Sequence, residues 1–259
     1  VENEAAAAHT RASRTENLIM LNLLLVSLLF ASSAPVQEAK PAPRIVGKVR
    51  FDGERPQIQP LAIDPEKSKG CCKEGEVLSA VDPTLLIDKD GGLANVVVTV
   101  DVPGAKVKPA EKPVEIDQKK CAFEPHVQIV TAGTKVVFLN SDSVVHNVHT
   151  YPMKNEPINK TTAPGGKEEL LMEVGDRVKI TCDYHPWMSA WVVVSETPYF
   201  ALTKPDGSFE LSGLPPGTYS ATFWHERLGR VKQEITVAAD GSAAAIEVKL
   251  KEKKKEAPK

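Results

Sequence analysis

Cys182, His185 and Met188 fall within seven residues, Cys182-Asp-Tyr-His185-Pro-Trp-Met188, directly after the strand-like run Asp176-Arg-Val-Lys-Ile-Thr181. A thiolate, an imidazole and a thioether make a soft donor set of the kind copper prefers, and one Cys with two His and a weak, distant Met tunes copper for electron transfer. The missing imidazole is offered upstream, in Phe138-Leu-Asn-Ser-Asp-Ser-Val-Val-His146-Asn-Val-His149. On a strand His146 and His149 face opposite sides, so only one of them points into a site. The spacing Asn140-x-Asp142-x-x-x-His146-Asn147 favours His146 and leaves His149 at the surface or behind the ligands. Three donors on one short loop converge at small entropic cost, and a fourth from a distant strand staples two strands together. Zinc also accepts Cys and His, though Met serves it poorly. The bland alternative is a buried free Cys beside incidental His and Met residues.

The elements that must hold these donors are β-strands. From residue 114 to 196, period-2 apolar runs (Val127 to Val130, Val136 to Leu139, Trp191 to Val194) alternate with turn signals at Gly133, Gly165-Gly166 and Gly175. Short strands punctuated in this way indicate a sandwich or barrel. Two further runs precede them, Arg44-Ile-Val-Gly-Lys-Val-Arg-Phe51 and Leu93-Ala-Asn-Val-Val-Val-Thr-Val-Asp-Val102, and a second series follows from Phe200 to Leu250. Neither flank holds enough strands for a sandwich of about seven. The economical arrangement is one sandwich made from both flanks, with the middle segment inserted at an exposed loop; tandem domains are the alternative. The expected fold is all-β, with boundaries at 44–108 and 199–250 for the split sandwich and 112–197 for the inserted one.

Composition bounds the rest. The 259 residues are 42% hydrophobic and 25% charged, enough for packed cores, and a net charge of −2 offers no basic surface for nucleic acid. Arg11 and Arg14 precede an apolar run from Leu18 to Ala31 and the small residues Ser32-Ser33-Ala34. This reads as an export signal over 1–34, short for a membrane span, with retention as an anchor the alternative. Residues 35–43 are a Pro-rich linker and 251–259 a solvated Lys-rich tail. Export implies a periplasmic or secreted, oxidising location, with no membrane span once the signal is cleaved.

The middle segment resembles the cupredoxins, in particular the amicyanin- and plastocyanin-like small blue copper proteins. The resemblance rests on Phe123-Glu-Pro-His-Val-Gln-Ile-Val-Thr-Ala-Gly-Thr-Lys-Val-Val-Phe-Leu-Asn140, on His146-Asn147-Val148-His149, and on Cys182-x-x-His185-Pro-x-Met188 followed by Val192-Val193-Val194. It implies a Greek-key β-sandwich holding one mononuclear type 1 copper. His146, Cys182 and His185 would be equatorial ligands, Met188 the weak axial ligand, and Asn147 a link between the two ligand loops. Pro186 and Trp187 would form an apolar patch around His185 through which electrons pass to a docked partner. Lys-Ile-Thr before Cys182 departs from the aromatic often found there. The flanks, in Phe200-Ala-Leu-Thr-Lys-Pro-Asp-Gly-Ser-Phe-Glu-Leu-Ser-Gly-Leu-Pro-Pro-Gly-Thr-Tyr219 and Ile45-Val-Gly-Lys-Val-Arg-Phe51, resemble carboxypeptidase regulatory-like (transthyretin-like, Ig-like) β-sandwich modules, which implies no catalysis. Trp224-His225-Glu226 ends a strand there, read as a packed Trp beside an exposed His.

With Cys182 reserved for copper, Cys121 pairs with Cys71 or Cys72 in a disulfide joining the two sandwiches; a second metal site from Cys121 and His126 is the alternative. The expected activity is single-electron transfer between redox proteins, such as a c-type cytochrome or a dehydrogenase. Copper storage or delivery, and a metal-free binding module, are the competing readings. No nucleophile–base pair, second copper ligand set or phosphate-binding glycine loop points to an enzyme.

Overall fold

The computed structural model describes residues 44–243 and 245–252. The expected signal, the linker and most of the Lys-rich tail lie outside them. Among the described residues there are sixteen β-strands and no helix. The chain is all-β. It opens with β1 (Arg44–Phe51) and β2 (Val97–Val100), the latter much shorter than the run from Leu93 to Val102 suggested. The reason is local. The Leu93 N–H bonds to the Val49 carbonyl and the Ala94 N–H to the Leu86 carbonyl, and Asn95 takes a left-handed φ of 60°, so regular pairing begins only after it.

Nine strands follow: β3 (Val114–Lys119), β4 (Ala122–Glu124), β5 (Val127–Thr131), β6 (Thr134–Asn140), β7 (His146–Tyr151), β8 (Asn159–Thr162), β9 (Lys167–Met172), β10 (Asp176–Thr181) and β11 (Ser189–Ser195). They form a four-stranded sheet, β4-β3-β6-β9, and a five-stranded sheet, β5-β11-β10-β7-β8, closed on a core that includes Ile116, Phe138, Met172 and Ile180. The last strands are β12 (Phe200–Leu202), β13 (Ser208–Ser212), β14 (Gly217–His225), β15 (Gly229–Val237) and β16 (Ile246–Leu250). These combine with the two opening strands into sheets β13-β1-β16 and β12-β2-β14-β15 around Ile45, Val49, Phe209 and Phe223.

β2 pairs directly with β12, Thr99 opposite Phe200, and the Val100 N–H bonds to the Tyr199 carbonyl at 2.9 Å. The middle sandwich therefore leaves and rejoins the flanking one at adjacent points. The seam between them is apolar, with Val97, Val127, Ile129 and Val193 buried and Trp191, Phe200, Leu202 and Trp224 packed around them. At its edge Glu226 accepts hydrogen bonds from His126 and, at 2.9 Å, from Trp191 Nε1. His225, expected at the surface, is 1% exposed. Alternation on β14 turns it inward in step with the buried Ala221 and Phe223, where apolar packing takes precedence over its polarity.

One further segment matters for the site. Between β1 and β2 the chain makes a long excursion, residues 52–96, with only isolated bridges such as Ile87 to Leu93. Structureless segments of this length in a packed protein are usually functional. Its outer part, an arm centred on residues 64–76, lies against the middle sandwich and is fastened there by a Cys71–Cys121 disulfide.

Candidate metal centre

The donors arrive by strand alternation. On β10, Val178 and Ile180 point into the core, and Cys182 continues the same register one step beyond the strand end. On β7, His146, Val148 and Thr150 point inward while His149 and Tyr151 point outward. β7 and β10 are neighbours, with Thr181 opposite His149, so the two inward rows end side by side. The loop joining β10 to β11 is drawn tight by two backbone bonds, Met188 N–H to the His185 carbonyl at 2.9 Å and Cys182 N–H to the Met188 carbonyl at 3.4 Å.

His146 Nδ1 lies 3.0 Å from His185 Nδ1, and the Cys182 sulfur lies 3.9 Å from the first and 3.5 Å from the second. Bonds of about 2.0–2.1 Å to nitrogen and 2.3 Å to thiolate, as zinc makes them, span donor separations of up to roughly 4 Å. All three separations fit one first-row metal ion. Met188 is buried in the same core cluster as Cys182. The donor chemistry is two imidazoles, one thiol and an adjacent thioether residue, a set that suits copper better than the oxygen-seeking metals.

The electrostatics favour ionised sulfur. Burial pushes the Cys182 thiol up, but His146, His185 and the backbone N–H groups of Asn147 and His185 outweigh it and bring the pKa down to about 6. Burial alone would lower the pKa of His146, yet hydrogen bonds to Asp142 and Cys182 raise it.

Asn147 joins the two loops: its side-chain oxygen accepts the Asp183 N–H at 2.6 Å, and its Nδ2 donates to the Asp183 carboxylate at 3.1 Å. His149 is half-buried on the outer face, 3.0 Å from the Asp183 carboxylate and stacked on Tyr151. Pro186 is exposed, whereas Trp187 is half-buried, packed edge-on against His185 and bonded through Nε1 to the Cys121 carbonyl at 3.1 Å. The bridge uses Cys71 and leaves Cys72 free. Cys121 and His126 form no common site, because Cys121 is in the disulfide and His126 is held by Glu226 and the Ser189 carbonyl.

Sequence reasoning missed two participants. Asp142 lies behind His146, 2.9 Å from Nε2, and also accepts the backbone N–H groups of Lys120 and Cys121 at 2.6 and 2.7 Å. Its signal was in plain view as the Asp of Asn140-x-Asp142-x-x-x-His146. The second is the Lys67 carbonyl on the arm, which accepts His185 Nε2 at 3.0 Å. Nothing in the local sequence around residue 67 marks it. Because of it, His185 is only 5% exposed, where an open apolar patch was expected.

No protein-family model and no curated protein matches the chain. Solved structures similar to part of it include a purple cupredoxin from Nitrosopumilus maritimus, at 26% identity and TM-score 0.28 over 32% of this chain and 99% of that one. A copper-containing nitrite reductase from Thermus scotoductus SA-01 is similar at 22% identity and TM-score 0.32, over 38% of this chain and 25% of the reductase. An amicyanin variant in its Cu(I) form is similar at 21% identity and TM-score 0.31, over 38% of this chain and 98% of that one.

Proposed function

We propose that the chain is an exported type 1 copper protein that carries single electrons between redox partners. The observation that carries this reading is the convergence of Cys182, His146 and His185 in a buried pocket, with the thiol pKa pulled down to about 6. His146, Cys182 and His185 would hold the ion, with Met188 as a weaker fourth ligand. The bound copper supplies a one-electron couple between Cu(II) and Cu(I). The residues of this chain supply rigidity: Asn147 ties the ligand loops together, Asp142 holds the His146 ring, and Lys67 holds the His185 ring. Such outer partners fix ring orientation and tune the ligands, and a site that barely moves exchanges electrons with little reorganisation. Nothing in the donor set leaves a protein base beside an open position, which favours electron transfer over catalysis.

The test is a visible spectrum of the purified protein during titration with Cu(II). An intense thiolate-to-copper band that saturates at one equivalent and bleaches reversibly with reductant is expected, and Cys182→Ser abolishes it while the fold persists. Copper bound without a reversible couple would instead indicate storage or delivery. Absence of the band from folded wild-type protein removes the type 1 copper reading.

A further inference from the structure

The outer edge of His185 is covered by a segment from the other sandwich. Residues 118 positions apart meet where Lys67 accepts the His185 ring. Four contacts fasten the arm around this point. The Cys71–Cys121 disulfide lies nearest, with the Cys121 sulfur 3.9 Å from His146 Nε2. Ser143 Oγ donates to the Gly70 carbonyl at 3.0 Å, and Glu76 pairs with Lys120 at 3.2 Å. Gly70 packs so closely on Val144 that a Cβ there would overlap it. Of these, only the disulfide is covalent. The Ser143 bond is a single neutral one, and the exposed Lys120–Glu76 pair contributes little. Around Lys67 the arm has turns but no strand pairing.

We propose that the Cys71–Cys121 bridge is a redox latch on this arm, closing the pocket around His185 when oxidised and releasing the arm when reduced. The proposal rests on the reading of His146, Cys182 and His185 as a metal centre, because it is access to that centre that the latch controls. The chemistry is ordinary thiol–disulfide exchange. Two electrons and two protons from a dithiol, itself oxidised to a disulfide, cleave the Cys71–Cys121 bond and leave two thiols. The reductant class is therefore a protein or small-molecule dithiol. Its route is a cleft lined by Gly70, Cys71, Cys72, Lys73, Lys120 and Asp142, beneath which both bridge residues are buried, so exchange begins when the cleft loosens locally. Cys72 lies beside the bridge but is a poor internal attacker, since burial and the nearby Glu76 raise its thiol pKa. Once the bond is cut, the arm is held by the Ser143, Lys120 and His185 contacts and by packing of Cys71 and the adjoining Leu78 on the middle core, without a covalent tie to resist local opening. Metal capture, metal loss and partner access at His185 all become faster in that state.

The test needs no copper. Metal-free full-length protein is given a brief exposure to diethylpyrocarbonate, and modification of each histidine is quantified by peptide mass spectrometry. In the oxidised protein the half-exposed His149 is modified and His185 is not. After dithiothreitol treatment and desalting, with the free thiols rising from two to four, His185 modification rises about tenfold or more while buried His146 stays protected. The double variant Cys71→Ser, Cys121→Ser gives the same pattern without reductant; should it fail to fold, reduced wild type alone decides. Unchanged His185 modification after verified cleavage of the bridge overturns the proposal. So does simultaneous unmasking of His146, which would mean that the bridge supports the whole middle sandwich and not the arm. A missing copper band would refute the metal reading and leave this labelling result standing, so the two failures are distinguishable.

Discussion

Asp142 is a single carboxylate on which the metal pocket and the chain around the disulfide both depend. It accepts three donors, His146 Nε2 and the N–H groups of Lys120 and Cys121. The last two residues have positive φ, 52° and 48°, a conformation that non-glycine residues adopt rarely and only when their surroundings hold them there. Burial pushes the Asp142 carboxyl up, but the three hydrogen bonds prevail and hold it below the usual carboxylate range, so it is ionised at neutral pH. Asp142→Asn presents an amide where the site supplies only donors. It should weaken copper binding about 10–100-fold, as other losses of a ligand's hydrogen-bond partner do. It should also destabilise the metal-free protein by about 1–3 kcal/mol. Competitive metal titration and urea unfolding measure the two effects separately, and an unchanged affinity would remove Asp142 from the site. The three residues that converge, His146, Cys182 and His185, were singled out in the sequence because Cys182 and His185 share one short loop, parity admits only one of His146 and His149, and the spacing from Asn140 and Asp142 favours His146. Asp142 was visible as part of a spacing but not as a partner, since hydrogen bonding to His146 depends on the turn after β6, which sequence does not specify.

The same division between local and distant signals holds for whole elements. β1 was legible to its ends, Arg44 and Phe51, because its alternation is strong. β2 was overestimated because a turn-forming Asn95 hides inside an apolar run. Of the arm, only the covalent anchor was legible, as the pairing of Cys121 with Cys71 or Cys72; its other partners lie about fifty to more than a hundred positions away, and no periodicity announces a segment held by backbone carbonyls. One turn gives an element-level test. Gly207 closes the Pro205-Asp206-Gly207 turn with φ +80°, and its carbonyl accepts the Val49 N–H at 2.9 Å. A Cβ there would lie 2.8 Å from the Leu93 nitrogen and closer still to the Val49 carbonyl oxygen, both backbone atoms that cannot swing aside. Gly207→Ala should therefore cost about 2–4 kcal/mol from left-handed strain and overpacking together. Thermal or urea unfolding checks this. Because the turn sits at the β1–β13 end of the flanking sandwich, the same variant should leave the thiolate band of the copper-loaded protein unchanged.

At the scale of the molecule, the two sandwiches are joined by an apolar seam whose polar edge is Glu226, bonded to both His126 and Trp191. Glu226→Ala leaves two half-buried donor groups without their partner and should cost about 1–3 kcal/mol, with Glu226→Gln recovering part of it. Next to this edge, His225 is buried and neutral, its Nδ1 accepting the Arg227 N–H at 3.3 Å. Burial drives its pKa down to about 4, helped by the positive Arg227 and the neighbouring His126 and opposed by Glu226. An unfolded histidine titrates near about 6.5. Between that value and about 4 the unfolded chain binds a proton that the folded chain refuses, so stability rises with pH across this window and is lost on acidification. The loss between pH 7 and pH 4 attributable to His225 is up to about 3 kcal/mol. His225→Gln retains an acceptor for the Arg227 N–H and cannot titrate, so its stability should fall less steeply over the same range. The carboxylates and the Cys182–His146 pair titrate in both proteins and cancel in the difference between the two curves. Urea unfolding of metal-free wild type and variant at half-unit intervals from pH 4 to pH 7 gives that difference directly. Parallel curves would mean that His225 gains its proton without unfolding the sandwich. Divergence confined to the region below pH 6.5 would show that acid acts on the flanking sandwich through one buried imidazole, at a point outside the metal pocket.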